Sequence, residues 1–307
     1  MNYIDTEMQK LIKEINEVTE TELKNEIKEK YLKIPKETRK SIEDFFSKFN
    51  YWGSLSEQNE DFTEIENKAK VLKENNEQFQ TFFEDLQDYR SKKVLYAILK
   101  NWKDYDFNTL SSVMEKTFTH YFDLDIIPEC KEEVFVDLGA YTGDTIEELL
   151  KNYKTSDFKR IYAYEMSENS IIALKEKTKY LSQITVRHCG VADVITKGSI
   201  NENEESASAN ILQVGEGNLS ITTLDEDIKE KITMIKMDIE GCEQKALKGA
   251  EKHIKEETPK MMISVYHGFN DLIEIYSYLK ELNPKYKFFL RYYGGPIFPT
   301  EIVLYAI

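Results

Sequence analysis

The chain has 307 residues and a formal net charge of −15, with charged side chains at about a third of its positions. That balance argues against nucleic acid as a partner, because phosphates require Lys/Arg neutralisation, and against an anionic membrane surface. No apolar run approaches the roughly 20 residues of a membrane span. The N-terminal stretch MNYIDTEMQKLIKEI has neither a basic nor an apolar leader region. Cys130, Cys189 and Cys242 are an odd, scattered set, which fits reduced thiols in a cytoplasm.

Glycine divides the chain: of twelve, only Gly53 precedes residue 139. Residues 1–128 have helical composition, rich in Glu, Lys and Leu/Ile. Met8, Leu11, Ile12, Ile15 and Val18 fall at helical spacing, as do Leu23, Ile27 and Tyr31. A third helix carries Ile42, Phe45, Phe46 and Phe49. YWGSLSEQNED (51–61) reads as a loop, with more helices over 62–121. The expected division is a helical segment at 1–50, a helical preamble at 51–128 and an α/β domain at 129–307. The apolar stripes are packing faces in the simplest reading; pairing of two copies through these helices is the alternative.

After Pro128 short apolar segments alternate with helical ones. VFVDL (134–138), IYAYE (161–165), ITVRHCGV (184–191), ITMIKMDI (232–239) and KMMISVYH (260–267) read as strands, with helices near 143–152, 168–181, up to 256, and 269–282. TKGSINENEESASAN (196–210) reads as an exposed loop. This alternation specifies a doubly wound, Rossmann-like parallel sheet. YKFFLRYY (286–293) and EIVLYAI (301–307) follow with no helix between them and must pair antiparallel.

VFVDLGAYTGDT places Asp137 at a strand end, then Gly139 and Gly143, then a helix. The glycines allow a tight turn and close approach to a ligand. Glu165 ends the next strand, 22 residues beyond Gly143. An acid there can accept both hydroxyls of a ribose. A carboxylate inside the first loop suits a cation better than a pyrophosphate, which points to S-adenosylmethionine. Asp144 either adds to that charge or caps the helix. Asp193 in HCGVAD follows the third strand, where an acid can meet the adenine amino group or simply occupy a loop.

The strand IKMDI ends in Asp238, Glu240 and Glu243 around Gly241. Asp238 and Glu240 end the fourth strand and His267 the fifth, so all three are expected at the carboxyl ends of the strands, where such sheets bind ligands. His267 is the preferred base for a hydroxyl acceptor. Glu240 is the second choice, or orients the hydroxyl, and Asp238 is assigned to the methionine end of the cofactor. Glu243 sits where a helix start favours negative charge. Carboxylates also suit Mg²⁺, but no metal is needed to account for the cluster. Arg291 either recognises an acidic acceptor or pairs on the sheet surface.

These motifs, with ITTLDEDI, IKMDIEGCEQKALKGAE and SVYHGFNDL, resemble the FkbM family of S-adenosylmethionine-dependent methyltransferases over 129–307. The resemblance implies a class I methyltransferase fold, cofactor residues at Asp137, Gly139, Gly143 and Glu165, and a reaction pocket at Asp238, Glu240 and His267. It implies O-methylation of a sugar, a surface or flagellar glycan, or a related small metabolite. Many members have Asn-x-Gly where this chain has Tyr141-Thr142-Gly143, and Arg-His-Tyr where it has Arg291-Tyr292-Tyr293. Two other readings remain: N-methylation of a glycan-linked amine, and an NAD-dependent short-chain oxidoreductase using Tyr276-x-x-x-Lys280.

Overall fold

A computed structural model describes residues 2–49, 51–201 and 211–307. The helical half begins with α1 (Tyr3–Glu17), α2 (Glu20–Leu32) and α3 (Lys36–Lys48). It continues with α4 (Thr63–Glu74), α5 (Asn76–Asp85), α6 (Tyr89–Asp104) and α7 (Phe107–Ser111). Two of these starts are capping boxes: Asn2 with Asp5, and Thr19 with Glu22. Each satisfies backbone N–H groups that a helix start leaves open. The apolar spacing read from the sequence buries Met8, Leu11, Ile12 and Ile15 on α1 and Leu23, Ile27 and Tyr31 on α2.

The α/β half runs β1 (Glu133–Leu138), α8 (Asp144–Asn152), β2 (Phe158–Glu165), α9 (Glu168–Thr178), β3 (Ile184–His188) and β4 (Gly190–Val191). Next come β5 (Thr196–Asn201), β6 (Ile211–Val214), β7 (Leu219–Thr222), α10 (Leu224–Asp227) and β8 (Met234–Met237). The chain ends with α11 (Glu243–Lys248), α12 (Glu251–Glu257), β9 (Lys260–Ser264), α13 (Asp271–Leu282), β10 (Phe288–Tyr292) and β11 (Ile302–Ala306). Seven strands form one sheet, in the order β10-β11-β9-β8-β1-β2-β3. The pairs β9/β8, β8/β1, β1/β2 and β2/β3 are parallel. The chain winds outward from β1 to β3 on one side and from β8 to β9 on the other. The switch point therefore lies between β1 and β8, the place where doubly wound sheets bind ligands.

Two compact units emerge. One comprises residues 1–116, 265–277 and 287–304; the other comprises 117–264, 278–286 and 305–307. This division differs from boundaries at 50 and 128, because the helical region is completed by segments returning from the chain's end. Within the first unit, Gln87 N–H donates to the Phe288 carbonyl (3.0 Å) and Glu115 N–H to that of Tyr292 (2.7 Å). Arg291 is buried there: Nη2 meets Asp88 Oδ2 at 2.7 Å and Nη1 meets Ser91 Oγ at 2.8 Å. Burial opposes the charge on Asp88, but Arg291 and Ser91 hold its carboxyl below the usual range. Arg291 thus fastens β10 to the start of α6.

Two sequence expectations change in the second unit. The stretch 196–210, read as a loop, begins with strand β5, which pairs antiparallel with β6 and β7 in a four-stranded sheet β4-β7-β5-β6. Residues 202–210 of that stretch lie outside the described residues. TKGSIN is polar and carries no apolar alternation, so only non-local pairing reveals it as a strand. The third strand is also divided, with Cys189 separating β3 from β4. Among the described residues no helix is long and apolar enough to cross a membrane.

Candidate active site

The carboxyl ends of β1, β2 and β8 open into a cavity in the second unit. Its wall includes Gly139, Glu165, Asp238 and Glu240, with Leu138, Met166, Val191, Leu212 and Ile239 supplying apolar surface. Three carboxylates line it and no Lys, Arg or His does, among the described residues. Such a wall suits an uncharged or cationic ligand and opposes a pyrophosphate, whose charge requires N–H donors or cations.

Glu165 is held firmly. Its Oε2 accepts from Tyr141 N–H (2.9 Å), and its Oε1 accepts from Met166 N–H (2.8 Å) and Ser167 N–H (2.7 Å). One side chain thereby ties the glycine loop after β1 to the turn after β2. It is 8% exposed, and of its roughly four acceptor sites one, on Oε2, remains after these bonds.

The glycine loop is tight because it has to be. Gly139 has φ +76°, and a Cβ there would lie 1.9 Å from the Asp238 carbonyl oxygen. Gly139 N–H and Ala140 N–H both donate to the Tyr164 carbonyl, at 3.1 and 2.9 Å. Gly143, at φ +87°, sits at the N-cap of α8. Asp144 follows it, exposed in the first turn, where negative charge complements the macrodipole. Asp193 is exposed beyond β4. Neither Asp144 nor Asp193 belongs to the cavity wall.

Asp137 is also outside the wall. It is fully buried and forms an ion pair with Lys236 at 3.1 Å. Burial pushes its carboxyl up to about 6, an effect that Lys236 partly offsets. Burial pulls the Lys236 ammonium down, but Asp137 and then Asp238 carry it above the usual lysine value. Lys236 Nζ also donates to the Gly139 carbonyl (2.8 Å), so it braces the glycine loop from beneath.

The turn after β8 is built on left-handed backbone, with Glu240 at φ +56° and Gly241 at φ +90°. Glu243 closes it from the start of α11, its Oε1 accepting from Ile239 N–H at 2.8 Å. Asp238 is fixed by Tyr121, whose hydroxyl donates to Asp238 Oδ2 at 2.6 Å and lies 3.2 Å from Ser264 Oγ. Sequence reasoning missed Tyr121 and Lys236. A lysine inside the apolar run ITMIKM was the available signal for the second; Tyr121 carried none.

His267 belongs to the first unit. It is 5% exposed and packs edge-on to Tyr51, with ring centroids 5.5 Å apart. Tyr276, the tyrosine of the oxidoreductase reading, is 3% exposed and donates its hydroxyl to Asp85 at 2.6 Å. Burial raises its pKa well above the usual value, opposite to the tuning that proton transfer near neutrality requires.

The cavity thus lies at the switch point of a doubly wound sheet and is walled by acids. Residues 137–286 match the family model of the methyltransferase FkbM domain. The chain is similar to the crystal structure of methyltransferase FkbM from Methylobacillus flagellatus KT: TM-score 0.65, 27% identity, 79% of this chain and 61% of that one covered. This chain therefore spans less than two thirds of that protein's length. More distant likenesses are precorrin-6y C5,15-methyltransferase from Geobacter metallireducens GS-15 (TM-score 0.38, 12% identity, 60% of this chain and 84% of that one) and Aeropyrum pernix fibrillarin with natively bound S-adenosyl-L-methionine (TM-score 0.37, 12% identity, 58% and 67%). No curated protein matches the chain.

Proposed function

We propose that the chain transfers the methyl group of S-adenosylmethionine to a hydroxyl of a sugar or glycan, of the kind assembled into surface polysaccharides in the cytoplasm. The observation that carries this reading is the cavity wall: three carboxylates, no cationic side chain and an apolar remainder. S-adenosylmethionine presents a sulfonium and an α-ammonium, which this wall favours; the bound cofactor supplies an electrophilic methyl group. Glu165, pinned by three backbone N–H groups, is oriented to accept ribose hydroxyls. Asp238, held by Tyr121, offers charge to the ammonium end.

Methyl transfer requires the acceptor oxygen in line with the breaking bond, so positioning supplies much of the rate. A hydroxyl must also lose a proton as the new bond forms. Glu240 stands in the same wall as Asp238 and is the proposed proton acceptor within this unit. An acid-lined cavity also disfavours a phosphorylated acceptor. Incubating the chain with S-adenosylmethionine and a panel of glycans, with mass spectrometry of the products, tests the reading. Addition of one methyl to a sugar hydroxyl supports it. Methylation of amines alone, or stabilisation by NAD and not by S-adenosylmethionine, overturns it.

A further inference from the structure

Ahead of β1 the chain turns tightly between Thr119 and Phe122. Phe122 N–H donates to the Thr119 carbonyl at 3.0 Å, and the Asn152 amide at the end of α8 donates to Thr119 Oγ1, also at 3.0 Å. Phe122 is fully buried and meets Tyr153 edge-on, ring centroids 6.2 Å apart. Both ends of the turn are therefore anchored to the end of α8. Between them Tyr121 has φ +68°, left-handed backbone that a bulky side chain rarely adopts. Strain of this kind persists where surrounding contacts over-determine it, and it clusters where function needs a fixed geometry.

The tyrosine side chain is held from several sides. Its ring lies flat against His120, with centroids 3.9 Å apart and planes at 10°, and Lys236 Nζ stands 5.3 Å from its centroid. Its hydroxyl donates to Asp238 Oδ2 at 2.6 Å and lies 3.2 Å from Ser264 Oγ. A phenol has one proton to give. With that proton on the bond to Asp238, Tyr121 Oη faces Ser264 as an acceptor, and Ser264, fully buried at the end of β9, donates. A relay running Ser264 to Tyr121 to Asp238 polarises each bond toward the carboxylate. Desolvation pulls the pKa of His120 down to about 4, an effect that Asp238 partly offsets, so the stacked ring adds no positive charge beside the aspartate near neutral pH.

We propose that Tyr121 is a positioning residue for the cofactor: its hydroxyl, held by the strained turn and the stacked ring, fixes the Asp238 carboxylate in the orientation that receives the α-ammonium of S-adenosylmethionine. Tyr121 is 5% exposed and does not line the cavity, whereas Asp238 does, so the tyrosine acts through the aspartate. A carboxylate tethered at one oxygen cannot rotate freely, and its ordering is complete before the ligand arrives. Asp238 as partner of the ammonium belongs to the reading given above, and this role for Tyr121 rests on it.

Two ligands separate positioning from packing. S-adenosylmethionine carries the ammonium; 5′-methylthioadenosine keeps the adenosine and the sulfur but lacks the amino-acid end. Tyr121→Phe keeps the ring and its stacking. In calorimetric titration of the full chain it should weaken S-adenosylmethionine binding about fivefold, the net worth of one hydrogen bond, and methylthioadenosine binding by less than about twofold. Asp238→Asn should show the same contrast more strongly. Ser264→Ala, which removes only the donor behind Tyr121, should show it more weakly, and it stands as the test if Tyr121→Phe fails to fold. Equal weakening of both ligands by Tyr121→Phe would mean that the tyrosine only supports packing, and unchanged S-adenosylmethionine binding would mean that its hydroxyl is idle; either result overturns the role. A contrast in Tyr121→Phe without one in Asp238→Asn also overturns it, because the hydroxyl would then act by another route. A contrast in Asp238→Asn alone removes Tyr121 and leaves the ammonium reading standing, whereas no contrast in either variant removes both.

Discussion

Asp137 and Lys236 occupy paired positions in the β1–β8 register and form a buried ion pair 3.1 Å apart. Lys236 continues from that pair to the Gly139 carbonyl, so the charge pair underlies the glycine loop. Breaking a buried pair by removing one member leaves an uncompensated charge and costs about 3–5 kcal/mol. Lys236→Met should therefore lower unfolding stability by that amount in urea denaturation at neutral pH. Asp137→Asn combined with Lys236→Met should recover much of the loss. If the single and double variants are equally unstable, packing of the lysine stem dominates rather than charge.

The same pair gives a pH dependence with a definite sign. The folded-state pKa of Asp137, pushed up to about 6 by burial, lies above its unfolded value of 3.8. The folded chain thus binds this proton more tightly than the unfolded chain. The contribution to stability is fully present below the unfolded value and is lost as pH rises through about 6. Measured as wild type minus Asp137→Asn, the unfolding free energy should fall by up to about 3 kcal/mol between pH 4 and 7. A difference that stays flat, or rises, over that window would show that Lys236 holds the carboxylate ionised throughout.

Glu165 carries two duties that substitution can separate. Its three backbone hydrogen bonds order the loops, and its negative charge is proposed to face the ribose. Glu165→Gln keeps an acceptor oxygen for part of the backbone set but loses charge. Glu165→Ala loses all of it. Calorimetric titration with S-adenosylmethionine should show weakening of about tenfold for Gln and about a hundredfold for Ala, from losing one and then several charge-assisted bonds. Equal binding by wild type and Ala would remove Glu165 from the cofactor site.

Much of this arrangement was legible in the chain. The order of strands and helices follows from apolar runs and punctuation, and Gly139, Glu165, Asp238 and Glu240 announce themselves by ending strands. What was not legible depends on register and distance. Asp137 reads as a loop acid facing a ligand until pairing with β8 sets Lys236 beside it. Tyr121 lies 117 positions before Asp238 in the chain, and only the fold brings its hydroxyl there. Strand β5 is polar and owes its conformation to β6 and β7. Left-handed backbone gives one retrospective sense to a sequence departure: Tyr141 has φ +45°, a conformation that asparagine adopts more readily.

Gly139 offers a stringent geometric test of the loop. Alanine there would place its Cβ 1.9 Å from a backbone oxygen and hold a side chain at φ +76°. The obstructing atom is the Asp238 carbonyl, fixed at the end of β8, so the loop has to move instead. Gly139→Ala should lower the thermal midpoint and abolish the stabilisation that S-adenosylmethionine gives the wild type. Gly295 serves as the control, because a Cβ at that position would meet nothing within 4 Å: Gly295→Ala should leave both unchanged. Ligand stabilisation retained in Gly139→Ala would mean that the cofactor does not depend on this loop's approach to β8.

Glu240 and His267 are the two candidates for the proton acceptor, and kinetics can separate them. Glu240 sits in the wall of the carboxylate-lined cavity, on a left-handed turn backed by Gly241. That backbone costs about 1–2 kcal/mol for a residue with a side chain, so Glu240→Gly should not weaken folding and Glu240→Gln should leave it unaltered. If Glu240 takes the proton, Glu240→Gln should lower kcat by about 10²–10⁴-fold. S-adenosylmethionine affinity should fall far less than kcat, since Glu165 and Asp238 keep their charge in the wall. His267→Ala should then leave the acid limb of the rate profile in place. Should His267→Ala alone abolish that limb while Glu240→Gln turns over normally, the base is the histidine and Glu240 serves only to shape the wall.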